Sequence, residues 1–398
     1  MTPLLLLMSC TAPLPEEVEV EWIPGVGDLS ADLYDRTRVH RVDILLPQEG
    51  LLDLRDHPWD YTQGSVVIDG VLLDEVGVHL KGAWGSFRDL DGKANFKLDL
   101  NQYVDGQNYL GLKQLTLNNM VVDCSYLRET LAYEAFARVG IPETRTSYVW
   151  VTVNEVDYGL YLFVETPDDV WLARHYDDPS GNLYDGKYIF TEDWEFVSMV
   201  DFLRYIDAHF ELEEGEGCRP PLDDVHRVTD ALYAAHGSDD GFQQLDALVD
   251  WDQLLRVWAT EQWVGQLDGY FLNQNNYRVY FDPEDGRVDM LPWDMDYAFY
   301  EASRWGMDWD HPYGALAGFC SGDPTCRHEL RNHVRAVAEI LETSDLRGLL
   351  EEVVALTMPY AAVDPRACGA SLPIVDRQDY MRAWVRTRSE AVREMWGL

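Results

Sequence analysis

Basic residues are scarce in this chain. Its 398 residues carry 31 Lys and Arg against 71 Asp and Glu, a formal net charge of −40. A surface of that sign repels nucleic acid and anionic lipid, which excludes both as general partners. It also repels nucleotides, so a triphosphate site here needs a local cluster of Lys and Arg together with divalent cations. Long hydrophobic runs are missing too. The apolar stretch inside MTPLLLLMSC (1–10) is too short to span a bilayer, and no other segment reads as a strong transmembrane helix. There is no internal repeat and no low-complexity region. Hydrophobic residues make up 46% of the chain and aromatics 12%, so a packed core forms and global disorder is excluded. The length suits one large two-lobed domain or two ordinary ones.

Cysteine is sparse, with six in all. Leu7-Met8-Ser9-Cys10 resembles a bacterial lipobox, in which a signal peptide is cut before a cysteine that becomes lipidated. That resemblance implies a signal peptide over 1–10, an acylated Cys10, and an acidic, Pro-rich tether over 11–29. Five cysteines then remain: Cys124, Cys218, Cys320, Cys326 and Cys368. Cys320 and Cys326 flank a Ser-Gly-Asp-Pro turn, which suits a disulfide in an oxidising envelope. A zinc site with His328 nearby is the alternative for that pair.

The stretch LDGYFLNQNNYRVYFDPEDGRVDMLPWDMDYAFY (267–300) concentrates the chemistry. Asp268 precedes Asn273 by five residues. Asn276 to Phe281 alternates, Asp-Pro-Glu-Asp-Gly turns, and Val288 to Leu291 returns, a β-hairpin pattern. The return strand ends in Pro-Trp-Asp-Met-Asp, placing Asp294 and Asp296 at its far end. Closing the hairpin brings Asp268, Asn273 and the two carboxylates to one mouth. Oxygen ligands and a base are what Mg²⁺ and a transferring phosphoryl group require. On spacing alone, acidic and amide residues at hairpin ends more often form turns and caps.

The first lobe reads as an antiparallel sheet. Val39 to Leu46 alternates, Ser65 to Leu73 turns at Asp69-Gly70, Val76 to Leu80 is a strand, and Asn95 to Leu100 alternates. Ser125 caps a helix over 127–139, and Val149 to Val164 folds as a hairpin. Glu165 stands where a hinge is expected. The second lobe reads as helical over 197–206, 221–235, 251–267, 332–341, 346–358 and 378–395. Asp250 caps the helix at 251, which delivers Asp268 at its end. Its Leu254, Leu255, Trp258 and Trp263 are core residues. The aromatic and acidic segment 305–312 reads as a lid, a substrate wall or a packed loop.

Five further segments accompany 267–300 in order: LKGAWGSFRDLDGKANFKLDLN (80–101), LKQLTLNNM (112–120), LRETLAYEAFARVGIP (127–142), VWVTVNEVDYGLYLFVE (149–165) and GNLYDG (181–186). Together they resemble the CotH kinase family, atypical protein kinases of the spore-coat protein H type, across most of Val76 to Phe299. The resemblance implies an α+β, bilobal kinase-like fold. Its β-rich N-lobe spans 30–165 and its mainly helical C-lobe 166–398. It implies ATP and Mg²⁺ or Mn²⁺ as cofactors, Asp268 as base, Asn273 and Asp294 as metal ligands, and Asn276 and Asp296 as second candidates. It implies backbone N–H groups of a turn with Gly82, Gly85 and Ser86 against phosphate. Lys97 is the expected phosphate lysine; Lys93 and Arg88 are alternatives and Lys81 a further candidate. Glu134 or Glu129 is expected to orient that lysine. The implied reaction is phosphoryl transfer to Ser or Thr of an acceptor protein at a lipid-anchored position in the cell envelope, without nucleic acid. A non-catalytic scaffold on the same fold, or transfer of another group, is the alternative.

Overall fold

Alternation of β-branched and polar residues builds the first half of the molecule into a closed seven-stranded barrel. The computed structural model describes residues 28–83, 85–142, 144–186, 188–190, 196–203, 210–215, 222–368 and 373–398. Cys10, residues 11–27 of the expected tether and Cys218 lie outside them. The barrel strands are β1 (Val39–Leu45), β2 (Thr62–Ile68), β3 (Val71–Lys81), β4 (Asn95–Asp99), β5 (Gln114–Asn118), β6 (Thr146–Val153) and β7 (Val156–Val164). Helix α1 (Gln48–Asp56) follows β1, and α2 (Arg128–Arg138) lies between β5 and β6. The order around the barrel is β1-β2-β3-β4-β5-β7-β6. All pairs are antiparallel except β1 with β6, which run parallel and close the ring. Parallel closure is the departure from a plain antiparallel sheet.

Val78, Leu80, Phe96, Leu98, Leu115 and Leu117 point into the barrel and are fully buried. Period two then sends His79, Lys81, Asn95, Lys97, Thr116 and Asn118 to the outer face. The register aligns them in rows, with Lys81 opposite Asn95, and His79 opposite Lys97 opposite Thr116. This polar face is what the barrel presents to the rest of the chain.

The remaining elements are α3 (Asp169–His175), β8 (Asn182–Gly186), β9 (Tyr188–Phe190), β10 (Phe196–Met199), β11 (Glu211–Glu214), α4 (Asp223–Ala235), α5 (Gly241–Leu245), α6 (Trp251–Val264), β12 (Tyr277–Phe281) and β13 (Val288–Pro292). Helices α7 (Ala315–Gly322), α8 (Pro324–Thr343), α9 (Leu346–Ala361) and α10 (Ile374–Met395) close the chain. The architecture is mixed α+β, as expected. A four-stranded sheet, ordered β11-β8-β12-β13, carries the expected hairpin. The second core packs α2, α6 and the C-terminal helices around Trp258, Phe271 and Trp263.

Three local expectations change. The stretch 197–206 was expected to be helical; its last three residues lie outside the described ones, and Phe196–Met199 instead pairs as β10 with β9. Pairing with β9 satisfies the backbone of this run in the strand conformation. Ser125 does not cap α2. Asp123 does the work there, accepting from Ser125 N at 3.0 Å and Arg128 N at 2.7 Å. Helix α6 begins as expected, with Asp250 accepting from Gln253 N at 3.0 Å. It stops at Gly265, whose φ of 63° ends the helix in a left-handed cap, so Asp268 sits in the loop beyond.

Candidate active site

The loop after α6 is shaped by a buried carboxylate. Glu261 is almost fully buried, and the backbone N–H groups of Phe271 and Tyr270 donate to it. Burial pushes its carboxyl well above the ordinary range. A Cβ on Gly269 would come within 2.4 Å of Glu261 Oε1, so only glycine permits this approach. The turn places Asp268 among three amides. Asn273 Nδ2 donates to Asp268 Oδ1, while Asn275 Nδ2 and Asn276 Nδ2 donate to Oδ2 at 2.9 and 3.1 Å.

Asn276 also ties the loop to the hairpin's far end, since its Nδ2 reaches Asp294 O at 3.0 Å. Gln266 Nε2 donates to the same carbonyl at 3.1 Å. Asn276 Oδ1 accepts from Asn275 Nδ2 at 2.9 Å, so Asn276 acts as a bracket between the two aspartates with its oxygen already engaged. Asp294 itself takes a left-handed backbone (φ 45°, ψ 76°) at the start of the short 3-10 turn Met295–Tyr297. This conformation is uncommon for a residue with a Cβ and costs energy that the two amide brackets offset. Asp268, Asn273, Asn276, Asp294 and Asp296 therefore do meet at one mouth.

The barrel's polar face covers this mouth. Lys81 Nζ donates to Asn118 Oδ1 at 2.6 Å, and Asn118 Nδ2 donates to Glu129 Oε2 at 2.7 Å. Glu129 is nearly fully buried on α2, and its Oε1 has no hydrogen-bond partner. Burial first, and then the charge of Asp294, push its carboxyl up to about 8; Lys81 and Asn118 act in the opposite direction. Asp296 is raised well above the usual range, again by burial and then by Asp294 and Glu129. Lys81, Ser86, Asn118, Glu129, Asp294 and Asp296 line one narrow cleft of about 10 Å³, room for about one water.

The glycine turn forms the roof. Gly82 and Gly85 have φ of 103° and 93°. A Cβ on Gly85 would lie 2.5 Å from the Tyr297 hydroxyl, so the turn rests on the residue after Asp296. Asn119 Nδ2 donates to Ser86 O at 3.0 Å and to Lys93 O at 2.5 Å, fixing both ends of the turn.

Several expected residues stand elsewhere. Lys97 shares the outer face with Lys81 but one row away, in the field of Glu213, Arg278 and Lys81; burial draws its pKa down. Lys93 turns away from the cleft into a buried pair with Asp364 at 2.7 Å. Arg88 folds back on its own turn, Nη1 donating to Gly85 O at 3.0 Å and Phe87 O at 2.6 Å. Glu134 pairs with Arg36 at 3.0 Å and Arg138 at 2.9 Å, so it orients no strand lysine. Glu165 is a buried hinge-side anchor for Arg145, at 2.6 Å, and for Arg174. Cys320 and Cys326 form a disulfide, and Cys124 forms a second with Cys368 that the sequence reading did not anticipate.

The donor set suits a divalent cation. Among the described residues no three His, Cys, Asp or Glu side chains form a ready-made metal cluster. Mg²⁺, however, is commonly held by one or two carboxylates, with phosphate oxygens and water completing its shell. Asp294, Asp296 and the unpartnered Oε1 of Glu129 supply oxygen of that kind.

Comparison with known proteins points to the same family as the sequence motifs. The model of the CotH kinase protein family matches residues 78–392. Inner spore coat protein H of Bacillus subtilis (strain 168) is 25% identical over 210 residues, covering 52% of this chain and 54% of that protein. The chain thus spans about half the length of that relative. Two solved structures are distantly similar. One is Shewanella oneidensis MR-1 HipA, in its complex with HipB and operator DNA (TM-score 0.35, 14% identity, 89% of this chain and 86% of that one). The other is the Helicobacter pylori proinflammatory kinase CtkA (TM-score 0.28, 10% identity, 84% and 94%).

Proposed function

This chain belongs to the CotH kinase family, and from that premise we propose that it transfers the γ-phosphoryl group of ATP to a hydroxyl of an acceptor protein. The barrel is the nucleotide-side lobe, and the part beyond Glu165 carries the acceptor side. One observation carries this reading. The Lys81–Asn118–Glu129 chain and the Asp294–Asp296 pair line one cleft beside a glycine turn, and Asn276 ties the amide-bracketed Asp268 to its Asp294 end.

Each residue has a distinct task. Lys81 holds phosphate oxygens, and Asn118 fixes its ammonium against Glu129. Asp294 and Asp296, with Asn273 as a further oxygen donor, are the residues that would hold Mg²⁺ or Mn²⁺. When bound, the cation neutralises charge on the β- and γ-phosphates. Asp268, fixed by three amides, orients the acceptor hydroxyl and accepts its proton. The acceptor oxygen bonds to the γ-phosphorus, the bond to the bridging oxygen breaks, and ADP leaves with those electrons. The cleft is too narrow for a triphosphate while Gly85 rests on Tyr297, so that contact opens for nucleotide entry.

The compartment belongs to the same reading. Two disulfides suit an oxidising environment, and the curated relative is by name a spore coat protein. We place the chain outside the cytoplasm, anchored by a lipid on Cys10, with a Ser or Thr hydroxyl of an envelope protein as acceptor. No helix among the described residues is long and apolar enough to cross a membrane. Incubation of the lipid-free protein with ATP, Mg²⁺ or Mn²⁺ and generic protein acceptors, followed by mass spectrometry, tests the reaction. Phosphate on a hydroxyl is the expected product. A nucleotidyl or other group on the acceptor, or no product with any metal, rejects it.

A further inference from the structure

A second cavity lies behind the glycine turn. It has a volume of about 280 Å³, and Arg88, Lys93, Arg366, Val121 and Cys368 are among its lining residues. It is separate from the nucleotide cleft. Asn119, Met120 and Val122 line the cleft, while Val121 between them lines the cavity.

Three cations around one cavity are unusual in a chain with 71 acidic and 31 basic residues. Lys93 is neutralised by Asp364 at 2.7 Å. The two arginines make no direct ion pair among the described residues, and Asp91 acts on Arg366 only from a distance. Arg88 donates through Nη1 to the carbonyls of Gly85 and Phe87, and Arg366 through Nη1 to those of Leu90, at 3.0 Å, and Gly92. The nearby acids are engaged elsewhere. Asp91 makes a two-pronged pair with Arg55, at 2.8 and 3.0 Å, and Asp89 accepts from the N–H groups of Asp91 and Gly92.

The wall is also firmly built. Asp364 accepts from Lys93 Nζ, Leu160 N at 3.1 Å and Arg366 N at 2.8 Å. The Arg366 guanidinium lies 3.6 Å from the centre of the Tyr158 ring. The disulfide from Cys368 to Cys124 fixes the end of the segment. The Arg366 guanidinium is thus held in place before any ligand arrives, which lowers the ordering cost of binding, while Arg88 stands on the exposed turn opposite.

We propose that this cavity binds a dianionic phosphate group, either as free inorganic phosphate or as the phosphomonoester on a phosphorylated serine of a polypeptide. Two guanidiniums without a direct ion pair match the charge of about −1.5 to −2 on such a group at pH 7. The planar guanidinium fork suits its oxygens. A carboxylate supplies only one charge. Because Arg88 also holds Gly85 and Phe87, a bound phosphate touches the same turn that roofs the nucleotide cleft. The proposal concerns binding and does not depend on phosphoryl transfer.

Titration calorimetry on the full chain, free of metal and nucleotide, tests it with three probes: inorganic phosphate, a glycine–phosphoserine–glycine peptide and the same peptide unphosphorylated. The unphosphorylated peptide is expected not to bind. At least one phosphorylated probe binds, and Arg88→Gln and Arg366→Gln each weaken it by about tenfold or more, the worth of a charge-assisted hydrogen bond. Equal affinity for both phosphorylated probes identifies free phosphate as the ligand; tighter peptide binding identifies a phosphorylated polypeptide. Thermal melting accompanies Arg366→Gln, because Arg366 also pins backbone carbonyls. Arg88 is exposed on the turn, so its variant reads the site even if Arg366→Gln does not fold. Absence of binding, affinity unchanged in Arg88→Gln, or displacement of the probe by saturating ADP overturns the proposal.

Discussion

Lys81 and Glu129 are joined through a single amide: Asn118 accepts from Lys81 Nζ at 2.6 Å and donates to Glu129 Oε2 at 2.7 Å. The lysine is therefore positioned by a neutral bridge as well as by charge. Lys97, one row further along the face, makes no such connection. Lys81→Ala is expected to weaken ATP binding in the presence of Mg²⁺ by about 10- to 100-fold, the worth of one or two charge-assisted bonds to phosphate. Lys97→Ala is expected to cost a few-fold only. Calorimetry on the two variants decides, and a larger loss at Lys97 would reassign the phosphate lysine.

The buried Glu129 makes stability depend on pH and metal together. Burial first, and then the charge of Asp294, push its folded carboxyl up to about 8 from the ordinary 4.5. A raised folded pKa means that the native state holds the proton more tightly. The resulting stabilisation is fully present below about pH 4.5 and is lost as pH rises towards 8. A cation in the cleft counters that loss by favouring the ionised carboxylates. Mg²⁺ is therefore expected to raise the melting temperature more at pH 8 than at pH 5.5. Glu129→Gln should flatten the dependence. Equal Mg²⁺ shifts at both pH values, in wild type and variant alike, would separate Glu129 from the metal.

Gly269 is the close approach on which the catalytic loop turns. Gly269→Ala forces a methyl group onto the Glu261 carboxylate. The loop must shift, and Asp268 with it. Turnover is expected to fall by about 10²-fold, since small misplacements of a reacting group are that costly. KM for ATP should change little, because Lys81 and Asn118 are on the barrel. Steady-state kinetics separate the two effects.

The two disulfides close loops of very different length. Cys124 and Cys368 are 244 residues apart, whereas Cys320 and Cys326 are 6 apart. Loop-closure entropy then gives about 5 kcal/mol for the long bridge and about 2 kcal/mol for the short one. Cys368→Ser is expected to lower the denaturation midpoint more than Cys326→Ser does. The reverse order would show that strain or residual structure outweighs chain entropy.

The hairpin and its acids were legible because their signals are local. Strand alternation, the Asp-Pro-Glu-Asp-Gly turn and the Trp-Asp-Met-Asp ending lie within 34 residues, and the observed strands match them closely. The barrel strands other than β5 (Gln114–Asn118) were legible for the same reason. The choice of lysine was not. Lys81, Lys93 and Lys97 all sit near glycines, and only the register of β3, β4 and β5 shows which one meets Asn118. Asn118 and Asn119 were visible only as part of a matching motif, because an asparagine's partner is fixed by pairing across strands. Glu134 and Glu129 are five residues apart on α2, so they face different sides, and helical periodicity alone does not say which side meets the barrel. The bridge from Cys124 to Cys368 joins distant segments, and sequence carries no such connectivity.

The most direct test of the account is phosphate transfer measured against Mg²⁺ concentration for the wild type, Asp268→Asn and Asp294→Asn. Asp268→Asn keeps shape but loses the proton acceptor. Its turnover should fall by about 10²- to 10⁴-fold at every Mg²⁺ level, with nucleotide still bound. Asp294→Asn removes charge from the metal shell, so its activity should fall at low Mg²⁺ and partly recover as Mg²⁺ rises. Recovery of Asp268→Asn instead of Asp294→Asn would reverse the two roles. Transfer at the wild-type rate by both variants would contradict a phosphoryl-transfer site in this cleft.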